Sequence, residues 1–208
     1  MKLKLNHNIL IALFFFSVTC KAQLLPEEPI RFHKDYTEKG LIFGTITFPS
    51  VDMKFDMYFI QITYKSLDKK LFRKNSSKIK LTPTMFVSKH NGELEGGKTY
   101  LFALEKPPGD YVISWIRLST LKLMQYNSND TDITGFSIPF TVNKGEITYI
   151  GEININENDI NGKEAITLKD EFERDKNAMK NLYKLVNWDS AVKSKLELNR
   201  HNGTEQQN

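Results

Sequence analysis

From Gly40 onward the chain alternates between short apolar runs and clusters of turn residues. The run at residues 41–48 is rich in β-branched and aromatic side chains and ends before Pro49. In the next run, residues 55–64, Tyr58, Ile60 and Ile62 fall on one face of an extended chain. Runs of this composition and period predict β-strands. Further runs of the same kind span residues 79–81, 84–87, 100–104, 111–118, 136–142 and 147–155.

Turn residues separate these runs. Glycine adopts a positive φ without steric cost, and proline presets φ for the first corner of a turn. Such signals lie at residues 90–92, 96–97, 107–110 and 143–145. Because the predicted strands are short, closely spaced and not separated by helices, the pattern predicts an antiparallel β-sandwich over residues 40–168.

The segment Pro107-Pro108-Gly109-Asp110-Tyr111 places a tyrosine at the start of a predicted strand. Pro108 and Gly109 suit the two corners of a type II turn. In immunoglobulin-like sandwiches such a tyrosine packs inward and its hydroxyl bonds the backbone just upstream, which forms a tyrosine corner. A plain hairpin with a half-buried tyrosine is the alternative. The segment favours a mainly β, immunoglobulin-like antiparallel β-sandwich in which Tyr111 has a structural role.

After the predicted sandwich the apolar period changes to that of a helix. Asp170 and Glu173 have the spacing of a capping box at a helix start. The pattern predicts a C-terminal α-helical tail, residues 169–198, packed on the sandwich, with a second short helix over 188–196. The polar residues 199–208 are predicted to be disordered. The apolar stripe of the tail consists of Phe172, Met179, Leu182 and Val186.

The N-terminal segment has the three parts of a secretory signal. Two lysines near the start precede an uninterrupted apolar run at residues 9–16, and small residues follow that run. A membrane-spanning helix needs about 20 apolar residues, so this run is too short to cross a bilayer. The sequence predicts a signal over residues 1–22 and therefore an exported protein, located in the periplasm or at the outer membrane.

Two ends of the signal remain open. Cleavage after Ala22 would leave Gln23 as the first residue of the mature chain. Alternatively, Ser17-Val18-Thr19-Cys20 would act as a lipoprotein box, and Cys20 would carry the lipid. Thr19 departs from the usual Gly, Ala or Ser before the cysteine. Cys20 is the single cysteine, so neither alternative permits an internal disulfide or a cysteine-based metal site.

Most of the net positive charge belongs to the signal. The whole chain has 29 Lys and Arg against 25 Asp and Glu, a net charge of +4. Residues 1–22 contain three lysines and no acid, so 26 basic and 25 acidic residues remain and the mature charge is +1. A nucleic-acid-binding protein usually keeps a strong positive field, and this role is therefore excluded. Residues 23–39 are a polar lead-in that is expected to cover the domain loosely.

No residue pattern in the chain indicates a catalytic or cofactor site. The histidines of the mature chain, His33, His90 and His201, have no partner at a metal-ligand spacing, and a lone turn histidine such as His90 is expected to be solvated. Residues 127–132 and 156–159 are rich in Asp and Asn but lack the order of an EF-hand, and turns explain them better than calcium. The sequence predicts no cofactor, no metal and no enzymatic activity.

Basic side chains concentrate in residues 65–80, with Asp68 as the single acid. One interpretation is contact with anionic lipid headgroups or an acidic glycan, since each basic group near a charged membrane contributes about 1 kcal/mol. The other, which we favour from sequence alone, is a solvated hairpin whose charges prevent edge pairing. The residues that would make an anionic-surface contact are Lys69, Lys70, Arg73 and Lys74.

Two motifs carry a resemblance to a known group of proteins. They are Pro107-Pro108-Gly109-x-Tyr111 and the run Phe-Thr-Val-x-Lys-Gly-Glu-Ile-Thr-Tyr-Ile-Gly-Glu-Ile at residues 140–153. The chain resembles uncharacterised exported β-sandwich proteins and lipoproteins of Bacteroidetes-type bacteria. This resemblance implies a β-sandwich and an envelope location, and it supplies no catalytic residues. The second motif also predicts a hairpin in which Ile147, Tyr149 and Gly151 line one face.

The sequence therefore favours a non-catalytic binding or structural module of the cell envelope. Its partner would be an envelope protein, a glycan or an anionic lipid surface. One alternative is an accessory subunit that docks through Phe172, Met179 and Leu182 of the tail. The other is a glycan-active enzyme, which would need two carboxylates facing each other across a cleft.

Overall fold

The computed structural model describes residues 30–82, 88–122 and 127–201 of the chain. The predicted signal, Cys20 and the predicted strand at residues 84–87 lie outside these ranges. Within them the protein is mainly β, with two sheets of mostly antiparallel strands and two α-helices. No helix in the described ranges is long and apolar enough to cross a membrane.

Eleven strands and two α-helices follow one another along the described chain. In chain order they are β1 (Gly40–Thr47), β2 (Met57–Tyr64), α1 (Lys69–Asn75), β3 (Ser77–Leu81), β4 (Thr99–Lys106), β5 (Gly109–Lys122), β6 (Asn127–Ile133), β7 (Phe136–Val142), β8 (Ile147–Ile155), β9 (Ile166–Lys169), α2 (Phe172–Leu182), β10 (Val192–Lys193) and β11 (Asn199–Arg200). Two short 3₁₀ turns occupy Glu95–Gly97 and Trp188–Ser190.

The first sheet has the strand order β10-β8-β1-β4, and β9 pairs with β8. β1 and β4 are antiparallel, with Gly40 opposite Lys106, whereas β1 and β8 are parallel, with Leu41 opposite Ile147. Every residue of β1 is buried. A strand that is covered on both faces reads as a near-continuous apolar run, as residues 41–48 do.

The second sheet has the strand order β11-β7-β5-β2-β3, and all of its pairings are antiparallel. β5 is 14 residues long and pairs on one side with β7 and then with β6. β2 alternates between buried and half-buried residues, so that Tyr58, Ile60 and Ile62 point into the core. The period-two pattern of the sequence predicted this face.

The main hydrophobic core lies between the two sheets, which pack face to face. Ile42, Ile46 and Phe102 come from the first sheet and contact the same apolar cluster as Ile60 and Ile113 from the second. Burial of apolar surface on this scale is the dominant stabilising contribution to folding.

A second core lies on the outer face of the first sheet, under the C-terminal segment. Phe43 and Tyr149 project outward from β1 and β8, and Met179 of α2 and Trp188 pack on them. The rings of Phe43 and Trp188 lie 5.2 Å apart at 72° to each other. The C-terminal segment therefore forms a third layer that covers the first sheet.

Several sequence predictions about the connecting segments are wrong. Part of the lead-in is not loose, because Ile30 and Phe32 are 8% and 4% exposed and belong to the second core. Residues 127–133 form strand β6 instead of a loop, since they extend the hairpin with β5. Sequence reasoning missed this strand because its exposed residues are Asp and Asn, which are also the residues favoured in turns.

The C-terminal segment differs from the prediction in two respects. The second helix predicted over residues 188–196 is absent, and the 3₁₀ turn at Trp188–Ser190 leads instead into β10, which pairs in parallel with β8. Residues 199 and 200 are not disordered, because β11 pairs with Ser137 and Phe136 of β7.

Candidate functional site

Helix α1 interrupts the connection between β2 and β3 and carries four of the basic residues singled out from the sequence. Asp68 caps its start, where the Asp68 carboxylate accepts hydrogen bonds from the backbone N–H groups of Lys70 (2.7 Å) and Leu71 (3.3 Å). At its end the backbone N–H of Ser76 donates to the carbonyl of Phe72 at 3.0 Å. The segment predicted as a simple hairpin therefore contains a helix, and Asp68 was the signal that could have revealed it.

The basic side chains of α1 point into solvent. Lys69, Lys70, Arg73 and Lys74 are all exposed, and none of them takes part in an ion pair within the described ranges. They form a compact positive surface without an acidic neighbour on the helix.

This arrangement of charge lowers the stability of the helix. Lys69 and Arg73, and likewise Lys70 and Lys74, are like charges four residues apart, and each such pair costs about 0.2–0.5 kcal/mol. Two of the four cations also occupy the first turn, where the helix dipole disfavours positive charge. A seven-residue helix is marginal by itself. The other two cations, Arg73 and Lys74, occupy the last turn, where the dipole favours positive charge. The dipole effects therefore offset each other, and the like-charge pairs remain unfavourable.

Exposed apolar side chains accompany the cations. Leu67 is fully exposed, at 105% of its reference area, and Leu71 and Phe72 are 42% and 41% exposed. Leu67 immediately precedes the capping residue, and Phe72 is the fourth helical residue, so their positions are those of a hydrophobic staple. The exposure of Leu67 shows that it does not pack in this way. We call the surface formed by residues 67–74 the α1 surface.

The body of the protein holds α1 at its C-terminal end. Lys106 at the end of β4 donates from its ammonium group to the carbonyl of Asn75 at 3.1 Å and to the hydroxyl of Ser77. The backbone N–H of Tyr64 donates to the Ser76 hydroxyl at 3.0 Å. Burial, with a smaller contribution from Lys39, lowers the pKa of Lys106 below its ordinary value. The base of α1 is thus fixed while its outer face is free.

Two further cations of the basic segment lie on the next strand. Lys78 and Lys80 project from edge strand β3 over the rings of Trp115 and Phe59, with the ammonium nitrogens 5.2 and 5.7 Å from the ring centroids. Charged side chains on an edge strand oppose pairing with another chain. The second interpretation of the basic segment, prevention of edge pairing, therefore fits β3 and does not extend to α1.

The three tail residues considered as partner contacts are not equally accessible. Met179 is 0% exposed against the first sheet. The Phe172 ring is half-buried, 5.4 Å from the Tyr149 ring, and the ammonium groups of Lys176 and Lys193 lie over it. Leu182 is 47% exposed. Among these three residues, Leu182 has the most surface to offer a partner.

The start of α2 also differs from the predicted capping box. Glu171 occupies the capping position without a side-chain hydrogen bond, and the Asp170 carboxylate accepts from the backbone N–H of Phe172 at 3.2 Å. Asp170 also pairs with Lys193 at 2.8 Å, which lowers the pKa of this carboxyl. Glu173 pairs with Lys176 at 2.8 Å instead of reaching back to the helix start.

An ionic cluster that sequence reasoning missed joins α2 to the first sheet. The guanidinium of Arg174 donates to the carboxylates of Glu152 (2.6 Å), Asp175 (2.8 Å) and Glu95 (2.6 Å). Asp175, which is 0% exposed, also accepts from the hydroxyls of Thr45 at 2.8 Å and Tyr149 at 3.1 Å. Burial raises the pKa of Asp175, and the hydrogen bonds from Thr45 and Arg174 oppose that effect.

A β-bulge places one member of this cluster. Opposite the single residue Gly44, strand β8 contains two residues, Ile150 and Gly151, because Phe43 pairs with Tyr149 and Thr45 pairs with Glu152. Gly151 has φ +106°, a conformation that favours glycine. The shift brings Glu152 to the outer face beside Tyr149, where it reaches Arg174. Period-two reasoning could not anticipate the added residue.

A second buried polar cluster surrounds His90. Its ring stacks on Phe48 at 3.8 Å, and its nitrogens lie 3.2 Å from the Tyr100 hydroxyl and 3.2 Å from the Glu157 carboxylate. The His90 and Glu157 side chains are 0% and 2% exposed. The expectation that His90 is solvated is therefore wrong.

Glu157 is the centre of that cluster. Its carboxylate also accepts from the Tyr58 hydroxyl and from the backbone N–H of Lys54 at 3.1 Å. Burial raises the pKa of Tyr100 to about 12 and that of Tyr58 further. The cluster therefore joins three loops, which contain Lys54, His90 and Glu157, through hydrogen bonds between buried polar groups.

The acidic segments form contacts within the chain. Asp132 in β6 pairs with Arg117 of β5 at 2.8 Å, and this hydrogen bond lowers the pKa of the Asp132 carboxyl. Asp130 lies 3.3 Å from the same guanidinium. The Asn156 side chain accepts from the backbone N–H of Asn158 at 3.1 Å, as in an Asx-turn. In the described part of the chain no group of three or more His, Cys, Asp or Glu could hold a metal ion.

Comparison with known proteins adds little to this geometry. No protein-family model matches the chain, and no curated protein matches it. Among solved structures, the chain is similar to a leucine-rich repeat protein from Bacteroides thetaiotaomicron VPI-5482, with a TM-score of 0.31 and 12% sequence identity. The match covers 72% of this chain and 16% of the other chain.

Proposed function

We propose that the chain is an exported, non-catalytic binding module of the bacterial cell envelope, built on an immunoglobulin-like sandwich, that attaches to a negatively charged surface through α1. The resemblance to exported proteins of Bacteroidetes-type bacteria and the predicted signal support the envelope location. The observation that carries the proposal is the exposure of Lys69, Lys70, Arg73 and Lys74 on one short helix, without acidic partners.

Two physical arguments favour a binding role over a stabilising one for these cations. The like-charge pairs destabilise α1, and the cations of the first turn offset the favourable placement of Arg73 and Lys74 in the last turn. The helix is nevertheless present because Asp68 caps its start and Lys106 bonds its last carbonyl. The cap and the hydrogen bond from Lys106 hold α1 in place despite the repulsion between its cations. The four cations are therefore displayed together at a fixed position, which suits attachment to an anionic surface.

The absence of catalytic activity is part of the proposal. The most buried carboxylates, Glu152, Glu157 and Asp175, are bonded to Arg174, His90 and hydroxyl groups of the protein itself. A glycosidase needs two carboxylates that face each other across a space for the sugar. These carboxylates are occupied in holding loops and α2 to the sheets.

A second candidate function is docking to a partner protein through the tail. Leu182, Leu185 and Val192 are 47%, 58% and 43% exposed, and they lie in the segment that covers the first sheet. These residues, together with the half-buried Phe172 and without the buried Met179, would form the contact of an accessory subunit.

The test of the first proposal is binding to vesicles of phosphatidylcholine with and without phosphatidylglycerol, measured by co-sedimentation at low and physiological salt. One variant replaces Lys69, Lys70, Arg73 and Lys74 with glutamate, which is a good helix former. At about 1 kcal/mol for each basic group, its affinity for the anionic vesicles should fall by roughly a thousandfold. The matched control reverses four exposed lysines outside α1: Lys34, Lys89, Lys163 and Lys184.

The control has the same net charge as the α1 variant, so it separates a local site from a general charge effect. It should keep most of the affinity of the wild-type chain, and added salt should weaken binding of both proteins. Equal loss in the two variants, or no preference of the wild-type chain for anionic vesicles, would contradict attachment through α1.

A further inference from the structure

We propose that the outer face of the second sheet is a binding site for an acidic saccharide. In this site the rings of Trp115 and Phe59 pack on the sugar, and Lys78 and Lys80 pair with its carboxylates. The observation that carries the proposal is a pair of aromatic side chains in neighbouring rows of one sheet face, each with a lysine ammonium group over its ring. The site does not depend on attachment through α1 and adds a second binding function.

The strand register brings these side chains together. Read across β3, β2 and β5, the two rows are Lys80-Phe59-Arg117 and Lys78-Gln61-Trp115. Since the rows are two residues apart along each strand, Phe59 and Trp115 are diagonal neighbours at about 7–8 Å. One oligosaccharide can therefore contact both rings.

The outer face of the second sheet reaches solvent. Phe59 and Trp115 are half-buried, whereas Ile60 and Ile116, the next residues of the same strands, are 0% exposed and point into the core. The outer face of the first sheet, by contrast, lies under the C-terminal segment. Accessible aromatic surface surrounded by polar side chains is typical of a ligand-binding face.

The two lysines indicate the charge of the ligand. Lys78 and Lys80 are exposed, and among the residues that the structure describes neither ammonium group pairs with an acid. Each has an aromatic ring as its partner instead, and a carboxylate of the ligand would supply the anion. Both lysines also oppose edge pairing, and a saccharide on the face leaves the edge of β3 free.

The other polar side chains of the face are held in place. The Arg117 guanidinium lies 4.9 Å from the centroid of the Trp115 ring and is bound to Asp132 at 2.8 Å. The amide nitrogen of Gln61 donates to the carbonyl of Ser77 at 3.2 Å. Fixed polar groups beside apolar surface orient a ligand, and here they lie where the hydroxyl groups at the rim of a sugar would meet them.

Binding exchanges the partners of the lysines. The face of an aromatic ring carries partial negative charge, so it attracts cations and the polarised hydrogens of C–H bonds alike. A sugar ring presents C–H bonds on its faces and hydroxyl groups at its rim. When a carboxylate of the sugar pairs with a lysine, the ring face that the lysine leaves becomes available to the C–H side of the sugar.

Two other kinds of partner fit the face less well. The core of a protein interface is depleted in charged residues, whereas each ring here has a cation over it. Single-stranded nucleic acids stack bases on aromatic side chains and carry a phosphate at every residue. Asp130 and Asp132 on β6 border the same rows and would repel such a backbone. An acidic sugar can place its carboxylates on the β3 side, next to the lysines.

The first experiment titrates the exported and processed chain with a tetramer of galacturonic acid and with the corresponding tetramer of galactose, by calorimetry at physiological salt. The variant Phe59→Ala with Trp115→Ala removes the rings, and its control, Leu182→Ala with Leu185→Ala, removes two exposed apolar side chains of the tail. We expect the ring variant to lose about tenfold or more in affinity for the acidic tetramer, and the control to match the wild-type chain. Equal losses in the two variants would overturn the proposal.

A second pair of variants tests the lysines. Lys78→Gln with Lys80→Gln should abolish the preference for the acidic over the neutral tetramer, because the cations that pair with carboxylates are removed. Lys69→Gln with Lys70→Gln makes the same change of charge in α1 and should keep the preference. A wild-type chain that binds neither tetramer, or both equally, would overturn the proposal, as would loss of the preference in the α1 control.

The second experiment uses Trp115 as its own reporter. The chain has two tryptophans, and the other, Trp188, is 1% exposed in the second core. The acidic tetramer should change the tryptophan emission and protect it from quenching by acrylamide. Trp115→Phe keeps a ring at this position, so it should retain binding by calorimetry and lose the change in emission. A change in emission that persists in this variant would overturn the proposal, as would binding of tetrathymidylate in preference to the acidic tetramer.

Discussion

Tyr111 and Arg174 each join two parts of the fold through side-chain hydrogen bonds. The Tyr111 hydroxyl donates to the carbonyl of Pro107 at 2.8 Å, and its ring stacks on Phe140 at 5.6 Å. Burial raises the pKa of Tyr111 to about 12, so the phenol remains a donor at neutral pH. This is the hydrogen bond of a tyrosine corner, as the Pro-Pro-Gly-x-Tyr motif predicted.

The Arg174 cluster is more sensitive to substitution, because it compensates carboxylates that have little access to water. We predict that Arg174→Met destabilises the protein by about 3–5 kcal/mol near neutral pH, the range for removing one partner of a buried ion pair. Asp175, at 0% exposure, would lose its cation, and Glu152, at 2%, would keep only Lys169, whose ammonium group lies 3.9 Å away. Chemical denaturation measures the free energy of unfolding.

The loss of stability in Arg174→Met should depend on pH, and the ionisation of Asp175 sets the direction of that dependence. Its pKa is already raised by burial, and Arg174 opposes the rise, so the variant raises it further. A carboxyl whose folded pKa is raised contributes full stability below its unfolded pKa, about 3.9, and loses it as the pH rises through the folded value. The gap between variant and wild type should therefore be smaller at pH 4 than at pH 7. A gap that is constant with pH would contradict this role.

At the scale of elements, α2 is held to the first sheet by one buried face. Met179 packs in the second core beside Phe43 and Tyr149, whereas Leu182, three residues later, is 47% exposed. An isolated helix of 11 residues would be marginal in water, so its stability has to come from this packing.

These two residues provide a matched test. We predict that Met179→Ala lowers the free energy of unfolding by about 2–5 kcal/mol, because it leaves a cavity in a core that cannot fully collapse. Leu182→Ala in the same helix should change it by no more than about 0.5 kcal/mol. Thermal and denaturant unfolding of both variants measure the difference. Similar small effects at the two positions would show that α2 does not depend on its contact with the sheet.

The sequence predicted those elements whose signal is local. Runs of β-branched and aromatic residues mark six of the strands: β1, β2, β4, β5, β7 and β8. A continuous apolar run indicates a strand buried on both faces, and an alternating run indicates a strand buried on one face. α1 was missed because four of its seven residues are cations, so its sequence lacks the regular spacing of apolar residues that marks a helix packed on a core. The bulge at Gly151 was missed because period-two reasoning assumes strict alternation along a strand. One added residue breaks that alternation and reverses the faces of the residues that follow it.

The candidate site was only partly predictable. Lys69, Lys70, Arg73 and Lys74 were recognisable from charge density, but their solvated, unpaired state depends on how α1 is placed by Lys106. The buried clusters include hydrogen-bonded pairs that are 130 positions apart in the chain around Arg174 and 67 positions apart around His90. No spacing rule connects such residues, since their contact is created by the packing of the sheets and the tail.

At the scale of the whole molecule, two features bear on the proposed attachment to the envelope. The α1 surface presents charge and apolar side chains at a fixed place. Cys20, which lies outside the described ranges, would carry a lipid if the predicted signal ends at the lipoprotein box. A lipid chain and a basic patch together form the two-signal arrangement that gives stable membrane attachment. With the signal removed the net charge is only +1, so attraction to an anionic surface must come from this local patch and not from the overall field.

Processing of the N-terminus distinguishes a lipid-anchored protein from one attached through α1 alone. We predict that protein from the native host lacks at least residues 1–19, because the basic start, the short apolar run and the small residues that follow match a secretory signal. Mass spectrometry should show either a chain beginning at Gln23 or a chain beginning at Cys20 with added acyl mass. The control is Cys20→Ser: it abolishes acylation if Cys20 is the lipid site, and it leaves a product that still begins at Gln23 if cleavage follows Ala22. A full-length product in the cytoplasm would contradict export, and with it the location on which attachment to the envelope depends.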